Sequence, residues 1–141
     1  MKKILYLLAL CILVLSGCTS NKVNPYPSSY LIENINNVQA IDDYLDTGVY
    51  VDKPLKNSNT LLMLSAKYST DVDVVKTILA YGADATKKNS KTGLTALDMI
   101  SLRHGVDDIY KVIYDAYQNT EEKKIKTYVK GTITIRKNIY L

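Results

Sequence analysis
Thr60-Leu61-Leu62-Met63-Leu64-Ser65-Ala66 and, a few residues on, Val74-Val75-Lys76-Thr77-Ile78-Leu79-Ala80-Tyr81-Gly82-Ala83-Asp84 are the two runs that decide the fold of this chain. Val72, Val75, Ile78 and Leu79 fall at i, i+3, i+6 and i+7, an apolar stripe along a helix that must face a neighbouring helix. Gly82 follows the stripe, where a residue free to adopt the left-handed conformation stops a helix. Thr60 opens the first run with a hydroxyl able to accept a bond from a free amide, and Thr95 stands in the like place further on, so both read as helix caps.

The stripe is echoed on both sides at a constant distance. Ile41, Val75 and Ile109 are 34 residues apart, and so are Val38, Val72 and Val106, then Tyr44, Ile78 and Val112, then Leu45, Leu79 and Ile113. Gly48 precedes Gly82 by the same 34, while Leu62 is matched by Leu97 at 35, one extra residue falling in a connecting loop. A period of this size marks a supersecondary unit that cannot bury its apolar side alone and stacks on copies of itself.

These runs resemble the ankyrin repeat, in which a T-P-L-H-x-A stretch opens the first helix, an I-V-x-L-L stretch forms the second and Gly-Ala-Asp closes it. Thr60 to Ala66 and Gly93-Leu94-Thr95-Ala96-Leu97-Asp98-Met99-Ile100 stand in the opening motif; Val74 to Asp84 covers the rest. Leu61 and Ala96 replace the proline, Met63 and Asp98 the histidine, and Ala116 the last glycine, as expected of relaxed or capping copies. The first copy keeps the register only from Asn37 to Asp52, its first helix expected at about Tyr30 to Asn36 without the motif. The resemblance implies an all-α fold: a short ankyrin-repeat solenoid of about three helix-turn-helix repeats over residues 30–117.

At the start, Lys2 and Lys3 precede an apolar run from Ile4 to Leu15, 12 residues long. That is short of the ~20 needed to cross a bilayer and reads as a secretory leader over residues 1–17. Leu15-Ser16-Gly17-Cys18 resembles the lipobox of bacterial lipoproteins, which implies cleavage before Cys18 and lipid on its sulfur; an ordinary leader that contains a cysteine is the competing reading. The resemblance further implies a place in the bacterial cell envelope. Since Thr19 is not the aspartate that holds such proteins at the inner membrane, the outer membrane, facing the periplasm, is expected. Residues 18–29, with Asn24, Pro25 and Pro27, read as the lipidated cysteine and a flexible tether.

Removing residues 1–17 leaves 124 of the 141 residues and two fewer lysines, so the formal charge falls from +4 to +2. So small a basic excess argues against nucleic acid as a partner. With Cys11 lost in the leader and Cys18 acylated, no thiol remains for disulfides, zinc or nucleophilic chemistry. His104 is the single histidine and lies between the two helices of the last copy. Asp42 with Asp43, Asp71 with Asp73 and Asp107 with Asp108 recur near the expected starts of second helices, where carboxylates satisfy free amides and the local dipole. Catalysis, metal binding and a cofactor are therefore not expected, and neither is an enzyme.

Binding is expected instead. The connecting fingers carry Lys53, Lys56 and Asn57 in one case and Lys87, Lys88, Asn89 and Lys91 in the next. Stacked fingers would gather these lysines on one ridge suited to an acidic protein or anionic headgroups, against the plainer reading of a solvated rim. The chain has 12 tyrosines and neither Phe nor Trp. Tyr44 falls in the core by register, while Tyr50 and Tyr81 fall outside it and read equally as interface anchors or as substitutes for Phe. The candidate partner-binding residues are thus Tyr50, Lys53, Lys56, Tyr81, Lys87, Lys88 and Lys91, the partner another protein and the chain itself a monomer.

After Tyr117 the pattern changes. Thr120 to Lys126 reads as a short charged helix, and the β-branched and aromatic run from Tyr128 to Leu141, broken by Gly131, as a small β hairpin. Residues 118–141 either cap the last copy or pair with the sheet edge of a partner. By analogy with bacterial ankyrin lipoproteins, the whole resembles an immunity protein against a secreted toxin; a structural or assembly scaffold of an envelope complex is the alternative.

Overall fold
The computed structural model of the chain describes residues 26–139, with side chains described as far as residue 130. The leader 1–17, Cys18 and most of the expected tether lie outside the described residues. Within them the protein is all-α: six α-helices and one short 3-10 turn, with no strand. They are α1 (Ser28–Glu33), α2 (Val38–Asp46), α3 (Leu61–Tyr68), α4 (Val72–Ala80), α5 (Ala96–Ile100) and α6 (Asp107–Ile139).

The helix starts are those the sequence marks. Thr60 Oγ1 accepts from the Met63 amide and Thr95 Oγ1 from the Asp98 amide, at 3.3 and 3.2 Å. The Asp98 carboxylate returns the favour by accepting from the Thr95 amide at 2.8 Å, a reciprocal box that satisfies two otherwise free donors. Asn37 caps α2 through the Ala40 amide, and Asp71 caps α4 through the Asp73 amide. Asp107 and Asp108 sit in the first turn of α6. Asp42 and Asp43 depart from the expectation: α2 already begins at Val38, so both fall in its middle, where Asp43 accepts from Gln39 instead of capping. Gly48 and Gly82 end α2 and α4 at φ of +78° and +87°, a region that costs other residues about 1–2 kcal/mol.

Packing builds two rows. α3 lies against α4 and α5, while α2 lies against α4, α4 against α6, and α5 against α6. Every residue of α3 from Leu61 to Ala66 is buried, as befits a helix covered on all sides. Val75 and Ile78 of α4 are fully buried, with Val72 and Leu79 packed at the margin of the same core. Each such side chain contributes about 1.5–3 kcal/mol by leaving water. Tyr44 is buried as its register requires, and Tyr26 packs edge-on against it at 6.2 Å, also meeting Tyr30 at 4.9 Å. The folded body therefore starts before residue 30, inside the stretch read as tether.

The hairpin expected at the end is a correction. α6 runs unbroken through Gly131 to Ile139. β-branched residues cost a helix only a few tenths of a kcal/mol each, and Gly131 about 1, whereas an isolated two-stranded hairpin is marginal in water. Ion pairs support the continuation, Lys126 with Glu122 at 3.3 Å and Lys124 with Glu121 at 3.7 Å. Lys124 also reaches the body, pairing with Asp84 at 3.6 Å and donating to Thr86 Oγ1.

Candidate binding surface
Two fingers join the helix pairs: residues 48–59 between α2 and α3, and residues 82–94 between α4 and α5. The first is turned by Asn57 and Ser58, both left-handed at φ of 58° and 61°, and is closed by the Leu55 amide on the Asn59 carbonyl at 2.7 Å. Asn89 of the second finger stitches the two together. Its Nδ2 donates to the Asn57 carbonyl at 3.0 Å and to Asn59 Oδ1 at 2.7 Å, while its Oδ1 accepts from the Lys91 and Thr92 amides. Asn89, a finger residue among those lysines, is thus only 2% exposed. All four hydrogen-bonding capacities of its amide are used, so it is a joint and not a contact residue.

Asp52 makes a second joint, accepting the Asp84 amide at 3.2 Å on each carboxylate oxygen. Burial pushes its carboxyl above the ordinary value, against the opposing pull of that amide and of Lys87. Burial acts in the same direction on Asp84, but there the Thr86 hydrogen bonds and Lys124 outweigh it and the carboxyl stands below the ordinary value. Asp98 is likewise low, first through the Thr95 amide and hydroxyl and then through the charge of Lys88.

Of the residues expected to bind, Tyr50 and Lys87 meet across the fingers, the Lys87 ammonium 5.5 Å from the centre of the Tyr50 ring. Tyr50 is 64% exposed, and Lys53, Lys56, Lys88 and Lys91 are exposed as well. Tyr81 goes elsewhere. Its hydroxyl donates between the Asp46 and Asp42 carboxylates of α2, 3.0 Å from Asp42, which ties α4 to α2 and holds the phenol well above its ordinary value, the Asp46 bond contributing most.

A cleft of about 560 Å³ opens between the fingers and the first-helix row. Asn57, Asn59, Asn89, Thr92 and Leu94 form its finger side; Lys67, Met99, Leu102 and Arg103 form its helix side. None of the seven residues expected to bind lines it. Leu102 is 77% exposed and Leu94 38%, so the cleft offers apolar surface to a partner. Arg103 is held in place by donating Nη1 to the Ala66 and Ser69 carbonyls at 2.9 and 2.7 Å, the free C-terminal end of α3. The sequence held one signal for this surface: Leu102 stands 35 residues after Lys67, so an aliphatic side chain occupies the outward position that a lysine fills in the preceding copy.

No known protein family matches the chain, and no curated protein is similar to it. The arrangement itself sets what the surface can do. Among the described residues no group of His, Cys, Asp or Glu is gathered to hold a metal ion. Leu94, Met99 and Leu102 give the cleft apolar surface beside its asparagine, threonine, Lys67 and Arg103 side chains.

Proposed function
We propose that this chain is a lipid-anchored ankyrin-repeat protein of the bacterial envelope that binds another protein stoichiometrically, without catalysis, in the cleft between its fingers and first-helix row. The observation that carries the reading is that cleft, with Leu102 and Leu94 exposed in its lining. Support for the repeat assignment comes from the cross-links: hydrogen bonds between distant residues span 30 to 39 positions, from Asn89–Asn59 to Tyr81–Asp42, so each copy is tied to its neighbour. The lysines of the fingers, with Tyr50, would steer an acidic partner toward the cleft. An anchor at Cys18 would confine the domain to one membrane and raise its effective concentration there, so moderate affinity suffices.

The test is capture of partners from envelope extracts by the tagged chain. Leu102→Asp should abolish capture while leaving the melting temperature unchanged, because Leu102 makes no core. Retention of the same partners by that variant would remove the cleft from the function. A toxin among the captured proteins identifies an immunity role; envelope assembly components identify a scaffold. Cys18→Ala should release the protein from membrane fractions, and unaltered retention would count against the lipid anchor.

A further inference from the structure
Arg103 lines the cleft, and its guanidinium is only partly used. Nη1 donates to the Ala66 and Ser69 carbonyls at 2.9 and 2.7 Å, which fixes the plane of the group. Nε and Nη2 have no hydrogen-bond partner among the described residues, and no unpaired side-chain nitrogen there is buried, so that edge of the fork is open to solvent. The Nε and Nη2 edge is one on which arginine takes both oxygens of a carboxylate.

The charges around the cleft agree with that edge. Its lining holds Lys67 and Arg103 and no Asp or Glu. The fingers add Lys53, Lys56, Lys87, Lys88 and Lys91. Among the described residues none of these six lysines forms an ion pair, whereas Lys76, Lys124 and Lys126 on α4 and α6 do. The acids of the fingers are committed within the fold, Asp52 to the Asp84 amide and Asp84 to Thr86 and Lys124. Asp98 of α5 spends its carboxylate on the Thr95 amide and hydroxyl, each at 2.8 Å, and does not line the cleft. Beside these free cations the lining offers Leu102, 77% exposed.

We infer that the cleft takes an acidic segment of its protein partner, with one carboxylate seated on the Nε and Nη2 edge of Arg103 and an adjoining aliphatic side chain against Leu102. This rests on the binding role proposed for the cleft and names the chemistry of what it binds. A fork already fixed by the α3 carbonyls loses little freedom on meeting a carboxylate. A lone chain-end carboxylate would use that fork alone; the lysines beside it fit a segment carrying several acids and speed its approach.

The test uses the chain from residue 18, which keeps every described residue, produced in the cytoplasm so that no lipid is attached and isotope-labelled for NMR. The probes are a blocked tetrapeptide of alternating glutamate and leucine and its counterpart with glutamine for glutamate. The chain has two arginines, Arg103 and Arg136, so the Nε–H signal of Arg103 is the one lost in Arg103→Lys. The glutamate peptide should bind about tenfold more tightly than the glutamine peptide, the worth of one charge-assisted pair, and should move that signal. Arg103→Lys, with its thermal midpoint checked, should erase most of the preference, and Lys67→Gln should reduce it about twofold to fivefold. Equal binding of the two peptides, no binding of the glutamate peptide at millimolar concentration, or binding that leaves the Arg103 signal in place overturns the inference. So does movement of that signal by phosphatidylglycerol vesicles and not by peptide, which assigns the fork to lipid. In each of these cases loss of partner capture by Leu102→Asp keeps the cleft as a binding site of different chemistry, whereas retained capture removes the cleft itself.

Discussion

At the scale of single residues the fingers are held by polar side chains turned inward, and two neighbouring carboxylates there respond to pH in opposite directions. Asp52 is raised by burial and Asp84 is lowered by its Thr86 and Lys124 partners. A raised carboxyl binds its proton more tightly in the folded state than in the unfolded one, so stability falls as pH rises above about 4 through the folded value. A lowered carboxyl does the reverse: its contribution is present above the ordinary range and is lost as pH falls. Asp52→Asn keeps an oxygen for the Asp84 amide and removes only the first effect. The variant should match the parent near pH 3, gain on it as pH rises from about 4 through the raised folded value, and keep a constant lead above that in urea unfolding midpoints. A parent that gains on the variant instead would mean that the charge on Asp52 stabilises the joint.

At the scale of elements, what could be read from the sequence was what depends on near neighbours. Thr60 and Thr95 cap because a hydroxyl three residues from a free amide reaches it in almost any surroundings, and the Val75 and Ile78 stripe follows from helical pitch alone. The inward turn of Asn89 is not legible there, because the partners that hold it, Asn57 and Asn59, are 32 and 30 residues away. The cleft was hidden for the same reason, since its sides come from segments far apart in the chain. The end of α6 was misread because alternating Thr and Ile at 132–135 fit a strand locally, while the decision was made upstream by a helix already running and tied to Asp84 by Lys124. Truncation after Glu121 follows from this. It should remove the far-ultraviolet helical signal of about five turns but leave the thermal midpoint lowered only slightly, because residues 122–130 are exposed and the ion pair of Lys124 with Asp84 lies at the surface. A large drop in midpoint would show that the distal helix is part of the core.

At the scale of the whole molecule, successive helix pairs meet at a small loop as well as through the fingers. Ser69 is fully buried between α3 and α4; its hydroxyl donates to Asn36 Oδ1 at 3.0 Å, and the Thr70 amide donates to the same oxygen at 2.8 Å. From the other side Arg103 donates to the Ser69 carbonyl at 2.7 Å. Asn36, Ser69 and Arg103 come from successive helix pairs, so this loop carries one polar link to each neighbouring pair, beside the finger joints at Asn89 and Asp52 and the tie made by Tyr81. Arg103→Met removes a charged donor from two carbonyls and should cost about 2 kcal/mol; Asn36→Ala, at a more exposed position, about 1. If the joints were independent these losses would add, as they do for separate sites. Because both act on the same loop, the double variant should deviate from the sum by about 0.5–3 kcal/mol, although the two residues are 67 positions apart in the chain. Urea unfolding of the parent, both single variants and the double variant measures the difference. Additivity within ~0.3 kcal/mol would mean that the two links act independently and that the Ser69 loop does not couple them.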